Sequence, residues 1–253
     1  MIYFPKLALE KYSTHLSKIS CSLRLDGLLP PELLGLGFVF LCYTNRCGSN
    51  FVAEAMASGG SMNLAAEFLN YDQVLAGSAD SGLTCIQEYV RGVALNDMVA
   101  ATFVCKVSVE HLVVLESSGM LDYVLPRARF VLIQRSDKIG QAISHSIADQ
   151  TQQWASYNSS VTNDPVFDGP RIREYIKQID EQYLIFDEFF SSREINPLLV
   201  NYEIFSENPE KGVSEIAAYL GRNISFEASR VRTGIQRSER NEIWRTAYLG
   251  EWS

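Results

Sequence analysis

Histidine is scarce in this 253-residue chain, with only three, and the five cysteines (21, 42, 47, 85 and 105) include no CxxC pair. Zinc-type spacing is therefore missing, and no metal site is expected. Scattered cysteines in odd number do not make a disulfide framework and suit a reducing compartment. No apolar run approaches the roughly 20 residues of a membrane span; the most apolar stretch, Leu33 to Tyr43, is far shorter. Near the N-terminus, Lys6, Glu10, Lys11 and Lys18 interrupt any run of signal-peptide length. The expected location is the cytoplasm, with no membrane span. Basic residues are outnumbered, 22 Lys and Arg to 30 Asp and Glu, for a net charge of −8. That excess of acid argues against binding to a nucleic-acid backbone, though not against a local anion site. Repeats and low-complexity tracts are also missing. With 47% hydrophobic and 21% charged residues, the chain is neither disordered, collagen-like nor coiled coil.

What the chain does have is an alternation of short apolar runs and amphipathic stretches. GFVFLCY (37–43), TFVCKV (102–107), RFVLIQ (129–134) and PLLVNY (197–202) read as strands buried on both faces. Helical spacing follows over Asn50 to about Ser58, over 137–157 with Asp137 as cap, over 172–190, and over 213–220 with Gly221 as the stop. The polar segment 158–170 reads as a surface loop. Strands alternating with helices imply a single α/β domain with a mainly parallel sheet flanked by helices. The expected layout is an N-terminal extension over 1–36 and the main domain over 37–253.

Two strand–turn–helix junctions carry chemistry. At the first, Thr44-Asn45-Arg46-Cys47-Gly48-Ser49-Asn50 joins a strand to a helix. Helix N-terminal N–H groups and the helix dipole favour an anion there. Gly48 lets the backbone approach closely, Ser49 offers a hydroxyl, and Arg46 brings a fixed, forked charge. The ordinary nucleotide loop G-x-x-x-x-G-K-[ST] is not matched, because Tyr43 stands at the first glycine and Ser49 at the lysine. The pattern basic-x-Gly-Ser is instead similar to the 5′-phosphosulfate loop of sulfotransferases. A tight turn with a surface arginine fits the same residues. At the second junction, Arg135 ends a strand and Ser144 lies nine residues on, inside the next helix. In sulfotransferases an arginine and a serine so placed hold the donor's 3′-phosphate, usually about eight residues apart, which here is the spacing of Ser136 and Ser144. A capped helix with a solvated Arg135 is the plainer reading. In a parallel sheet both junctions open on one edge, where open α/β sheets bind ligands.

Together these blocks resemble the bacterial trehalose 2-sulfotransferase-like family, which includes nodulation-factor sulfotransferases. CYTNRCGSN looks like its phosphosulfate loop, with Asn45, Cys47 and Asn50 in place of Pro, Ser and Thr. SMNLAAEFLNYD looks like its short glutamate segment and FVCKVS like its Gly-x-Lys strand. RFVLIQRSDKIGQAISHSIADQTQQW, the most specific block, looks like its arginine–serine helix. PLLVNYEIFSENPEKGVSEIAAYLG and IQRSERNEIW resemble its C-terminal units.

The resemblance implies a P-loop nucleotide-hydrolase-like sulfotransferase fold and transfer from 3′-phosphoadenosine 5′-phosphosulfate (PAPS) to a hydroxyl of a sugar or glycolipid acceptor, without metal. It implies Glu67 as general base, with Arg46 stabilising charge on the leaving oxygen. Donor contacts fall to residues 44–50, Arg135, Ser144 and Arg237, and a homodimer is implied. Desolvation among Leu64, Ala65, Ala66, Phe68 and Leu69 is expected to raise the pKa of Glu67; a solvent-facing helix glutamate is the plainer reading. His111 and His145 are alternative proton handlers, and Tyr71, Trp154 and Tyr157 are candidate sugar platforms. Arg222 to Arg245 holds six arginines against three glutamates, and such a tail could fold over the 3′-phosphate. A small-molecule kinase with a degenerate phosphate loop and a non-catalytic nucleotide-binding protein are the competing readings.

Overall fold

Strand β1 (Gly37–Cys42) sits at the centre of a four-stranded, all-parallel sheet. β2 (Thr102–Val107) lies on one side; β3 (Ala128–Gln134) and then the edge strand β4 (Leu198–Asn201) lie on the other. The computed structural model describes residues 4–154, 164–234 and 239–251. Register pairs Phe40 with Cys105 on one neighbour and with Phe130 on the other. Because side chains alternate across a strand, each run feeds two cores. Phe38, Phe40, Phe103, Cys105, Phe130 and Leu132 face one layer, and Val39, Leu41, Val104, Val131 and Ile133 face the other. That double burial is why the strands read as continuous apolar runs rather than alternating ones.

The helices in chain order are α1 (Lys6–Lys11), α2 (Thr14–Ser20), α3 (Ser49–Ala57), α4 (Tyr71–Ser81), α5 (Ile86–Asp97), α6 (Val109–Ser117), α7 (Met120–Val124), α8 (Lys138–Thr151), α9 (Gly169–Ser192), α10 (Tyr202–Glu207), α11 (Pro209–Leu220) and α12 (Glu239–Gly250). α3, α10 and α11 cover one face, and their Val52, Phe205 and Ile216 pack on the β1–β3–β4 side chains. The other face is covered by α6, α8 and α9 with the remaining helices around them. α9 presents Ile172, Tyr175, Ile179, Tyr183, Phe186 and Phe190 at helical spacing. The first turn of α9 is closed by Asp168, whose side chain accepts the Arg171 N–H, with Pro170 just inside. α1 and α2 are part of the core: Ala8 and Ile19 are fully buried, and α2 packs along α6 and α4.

The helix after β1 lies on one face, and those after β2 and β3 lie on the other. The carboxyl end of β1 is thus a switch point, where a crevice forms in open parallel sheets. One expected element is shorter. The helix beginning at Lys138 ends at Thr151 rather than running to 157, because the Thr151 hydroxyl bonds back to the Ile147 carbonyl and Gln152 turns left-handed at φ 56°. Tyr157 lies outside the described residues. α4 and α5 carried no sequence expectation, although Ile86, Tyr89, Val90 and Ala94 of α5 recur at helical spacing and are buried.

Phe130 is 2% exposed, and its ring meets Phe40, Phe189 and Phe190 at centroid distances of 5.2–5.8 Å. Phe130→Ala is expected to lower unfolding free energy by about 3–5 kcal/mol, read as a drop in the denaturant midpoint with an unchanged slope.

Candidate active site

The turn after β1 is held from below. The Thr44 hydroxyl donates to the Tyr183 hydroxyl (3.1 Å), which donates to the Ile133 carbonyl (3.2 Å). Gln141 Nε2 donates to both Thr44 Oγ1 and the Asn45 carbonyl at 2.8 Å. Thr44 is therefore committed inward, at 1% exposure. Cys47 is also turned inward: its thiol is fully buried in the core, and its N–H closes onto the Thr44 carbonyl. The Thr44 hydroxyl and the Cys47 thiol thus face the core rather than the crevice. Asn45 faces outward, with its amide 3.5 Å from His145 Nε2.

Arg46 adopts a left-handed backbone (φ 63°) and Gly48 follows at φ 94°, capping α3. A Cβ on Gly48 would fall 2.0 Å from the Tyr202 ring, so neither the dihedral nor the space admits a side chain. α3 then starts with the N–H groups of its first turn free of intrahelical partners. Ser49 is buried at 6% exposure.

The second junction meets the first. Arg46 Nε donates to Ser144 Oγ at 2.9 Å, and its terminal nitrogen reaches the Trp154 carbonyl. Arg135 donates to the carbonyl of Arg46 (3.3 Å). Burial, and then the like charge of Arg135, lowers the pKa of Arg46. Arg135 lies 3.5 Å from Asp137 and 3.8 Å from Glu203, and its ring of contacts includes the Tyr202 face. Its buried Nε has no hydrogen-bond partner among the described residues. The N-terminus of α8 is filled by the chain's own carboxylates. Glu203 accepts the N–H groups of Ser136 and Asp137 (3.0 and 3.1 Å), and Asp137 accepts that of Gly140 (2.9 Å). An anion at this junction must therefore be held by side chains.

On the opposite flank of β1, Lys106 is 4% exposed and its Nζ bridges Asn50 Oδ1 (2.6 Å) and Glu67 Oε1 (2.7 Å), over the Tyr43 ring. Asn50 thus turns to Lys106. In the sequence Lys106 matches the lysine of the Gly-x-Lys strand but is given no role; a lone lysine inside an otherwise apolar strand is the signal that could have assigned it one. The Glu67 pKa is lowered, against expectation. Burial does push it up, but Lys106, His111 and the Tyr43 hydroxyl together outweigh burial. The apolar neighbours visible in sequence gave only the first of these effects. His111 is buried and its pKa falls to about 4, chiefly by desolvation; it caps α6 reciprocally with Ser108.

His145 stacks on Tyr175 at 4.0 Å with Trp154 edge-on, and burial lowers its pKa to about 4. The arginines of 222–245 do not form one patch. Arg222 bonds the Ala100 carbonyl at the far end of the sheet, and Arg230 bonds the Ser58 carbonyl. Arg240 pairs with Asp164, and Arg245 reaches the junction by pairing with Asp137. These four arginines are drawn to separate acceptors rather than to one fold-over patch. Arg237 lies outside the described residues. Buried Glu54 accepts the N–H groups of Arg232 and Thr233 (2.7 and 2.8 Å), anchoring the C-terminal segment to α3. All five cysteines are free.

An open parallel sheet whose central strand ends in a glycine turn, flanked by two arginines and an acid–lysine pair, is the arrangement at this edge. Residues 98–250 match the family described as Stf0 sulphotransferase, and the chain belongs to that family. It is a sulfotransferase. A sulfotransferase from Alicyclobacillus acidocaldarius shares the fold, with a TM-score of 0.52 over 85% of this chain and 92% of that one, at 15% identity. A mouse sulfotransferase, SULT7A1 complexed with PAP, aligns with a TM-score of 0.45 over 99% of this chain and 74% of that one, at 14% identity. No curated protein matches. No helix among the described residues is long and apolar enough to cross a membrane.

Gly48→Ala is expected to lower stability by about 3 kcal/mol through dihedral strain and ring overlap, checked by denaturant unfolding; an unchanged midpoint would show that Tyr202 yields freely.

Proposed function

We propose that the chain moves a sulfuryl group from PAPS to a hydroxyl of a carbohydrate or glycolipid, with Glu67 as general base. The observation that carries this reading is the convergence of Arg46, Arg135 and Ser144 at one mouth of the sheet. Two like charges held this close suit one ligand bearing two separated anionic groups. The residues present fit the bisphosphorylated nucleoside. The turn at Gly48 packs against the Tyr202 ring, and the Arg135 Nε, 3.8 Å from Glu203 Oε1 and without a hydrogen bond among the described residues, could donate to a phosphate oxygen. The 5′ group would lie on the first turn of α3 with Arg46, Gly48 and Ser49. The 3′-phosphate would take Arg135 and Ser144, with Arg237, which lies outside the described residues, as a further ligand.

Transfer is an in-line displacement. The acceptor oxygen forms a bond to sulfur as the bond from sulfur to the 5′-phosphate oxygen breaks, and that electron pair stays on the departing bisphosphate. The acceptor's proton passes to Glu67. Arg46 and the α3 N–H groups stabilise charge on the departing oxygen. Lys106, between Asn50 and Glu67, holds the base ionised and places an ammonium beside the transferring group.

The sign of the pH dependence follows. A carboxyl whose folded pKa lies below the ordinary 4.5 stabilises the fold above that value, and this contribution is lost as pH falls through the folded pKa. It also keeps the base ionised at neutral pH. Lys106→Met removes the largest lowering influence and leaves burial opposed by His111 and the Tyr43 hydroxyl. The Glu67 carboxyl should then titrate higher than in the parent, and the acid limb of the rate profile should move up with it; a carbon-13 titration that stays put would exclude Lys106 from this role.

Calorimetry is expected to give at least tenfold tighter binding of adenosine 3′,5′-bisphosphate without metal than of magnesium–ATP. Preference for magnesium–ATP would support a kinase instead. In a labelled-sulfate transfer screen over sugars and glycolipids, Glu67→Gln should lower turnover by 100-fold or more while keeping bisphosphate affinity.

A further inference from the structure

The N-terminal segment reaches the Glu67 loop through one side chain. His15, in the first turn of α2, is 14% exposed at its side chain. Its Nδ1 accepts the N–H of Tyr71 at 3.1 Å, which places its proton on Nε2, 2.7 Å from Glu110 Oε2. The ring stands edge-on to Tyr71 at 5.3 Å and to His111 at 5.0 Å.

Each of these contacts bears on Glu67. Upstream of it, the loop is tied to β2: the Lys106 N–H donates to the Ala66 carbonyl at 2.9 Å, and the Asn63 amide bonds the N–H and carbonyl of Val104, both at 2.8 Å. Downstream, the Asn70 N–H closes a turn on the Glu67 carbonyl (2.8 Å), Tyr89 donates to the Phe68 carbonyl (2.8 Å), and the next N–H is the one taken by His15. His111, against which the His15 ring rests, is a neighbour of the Glu67 carboxylate. The turn that aims the carboxylate is thus clamped to the sheet at one end and to α2 and α6 at the other.

We propose that His15 is a positioning residue for Glu67, so that the segment before the sheet is an integral part of the catalytic site. His15 does not touch the reacting groups. It supplies an acceptor to one end of the Glu67 loop and a ring that fixes His111. The inference rests on the reading of Glu67 as base. Displacement of a reacting group by about 1 Å is worth up to roughly 100-fold in rate, so a slackened loop is read in turnover before it is read in folding.

The test uses the full chain with adenosine 3′,5′-bisphosphate bound and needs no acceptor for its first readout, amide exchange across 64–72. His15→Phe keeps an aromatic ring and loses both hydrogen bonds; His15→Gln keeps an acceptor and a donor. His15→Phe is expected to speed exchange at the Tyr71 amide at least tenfold with bisphosphate affinity within twofold of the parent, and His15→Gln should restore the parental rate. With labelled PAPS and trehalose as acceptor probe, kcat should fall about tenfold in His15→Phe with KM for PAPS unchanged. Exchange within twofold of the parent overturns the proposal. Should His15→Phe not fold, Glu110→Ala reads the same clamp from the other side, and unchanged exchange there overturns it equally. Glu67→Gln run in parallel separates the two readings. Parental turnover in that variant removes Glu67 as base and leaves the exchange result standing. Lost turnover in Glu67→Gln with parental turnover in His15→Phe removes the positioning role alone.

Discussion

Two guanidinium groups share one edge of the sheet, and much of the surrounding structure exists to keep them there. Like charges repel, and the charge of Arg135, after burial, lowers the pKa of Arg46. Arg46 is held against that by Ser144 and the Trp154 carbonyl, and Arg135 by the Arg46 carbonyl, Asp137 and Glu203. The left-handed turn at Arg46 and Gly48 and the ring of Tyr202 against Gly48 shape the backbone that carries the first guanidinium. Glu203 plugs the α8 N-terminus and leaves the junction to side chains. A chain of net charge −8 thereby keeps a local concentration of positive charge facing one crevice.

The other flank of β1 does the opposite. There a buried lysine faces a carboxylate, and the pair is neutral as a whole. Under the proposed reaction the two flanks would divide the work: one would neutralise what departs, the other would accept a proton from what arrives. Asn50 joins them, since it belongs to the glycine turn and bonds the lysine that holds Glu67. The departure from threonine at this position is therefore a link across the site rather than a lost contact.

The sheet was legible because strands buried on both faces are continuous apolar runs: TFVCKV fell on β2, and RFVLIQ missed only Ala128 of β3. The junction geometry was legible because parallel strands put Arg46 and Arg135 on the same edge. Burial direction was not. Thr44 and Cys47 look like ligand contacts in sequence, yet Tyr183 and Gln141, which lie 139 and 97 residues from Thr44, claim the threonine. The sign of the Glu67 shift was hidden for the same reason, because Lys106 and His111 come from another strand and helix. The clustered arginines share a charge in sequence, but the partners of Arg222, Arg230, Arg240 and Arg245, from Ser58 to Asp164, are scattered through the fold. Electrostatics between distant segments carries no local pattern.

The central claim is that a single bisphosphorylated nucleoside bridges the two junctions. A crystal structure with adenosine 3′,5′-bisphosphate tests it most directly. The account requires the 5′-phosphate on the first turn of α3 beside Arg46 and the 3′-phosphate within hydrogen-bond reach of the Arg135 guanidinium and the Ser144 hydroxyl. A nucleotide seated elsewhere, or one that engages Arg46 while Arg135 stays turned to Asp137 and Glu203, would contradict it.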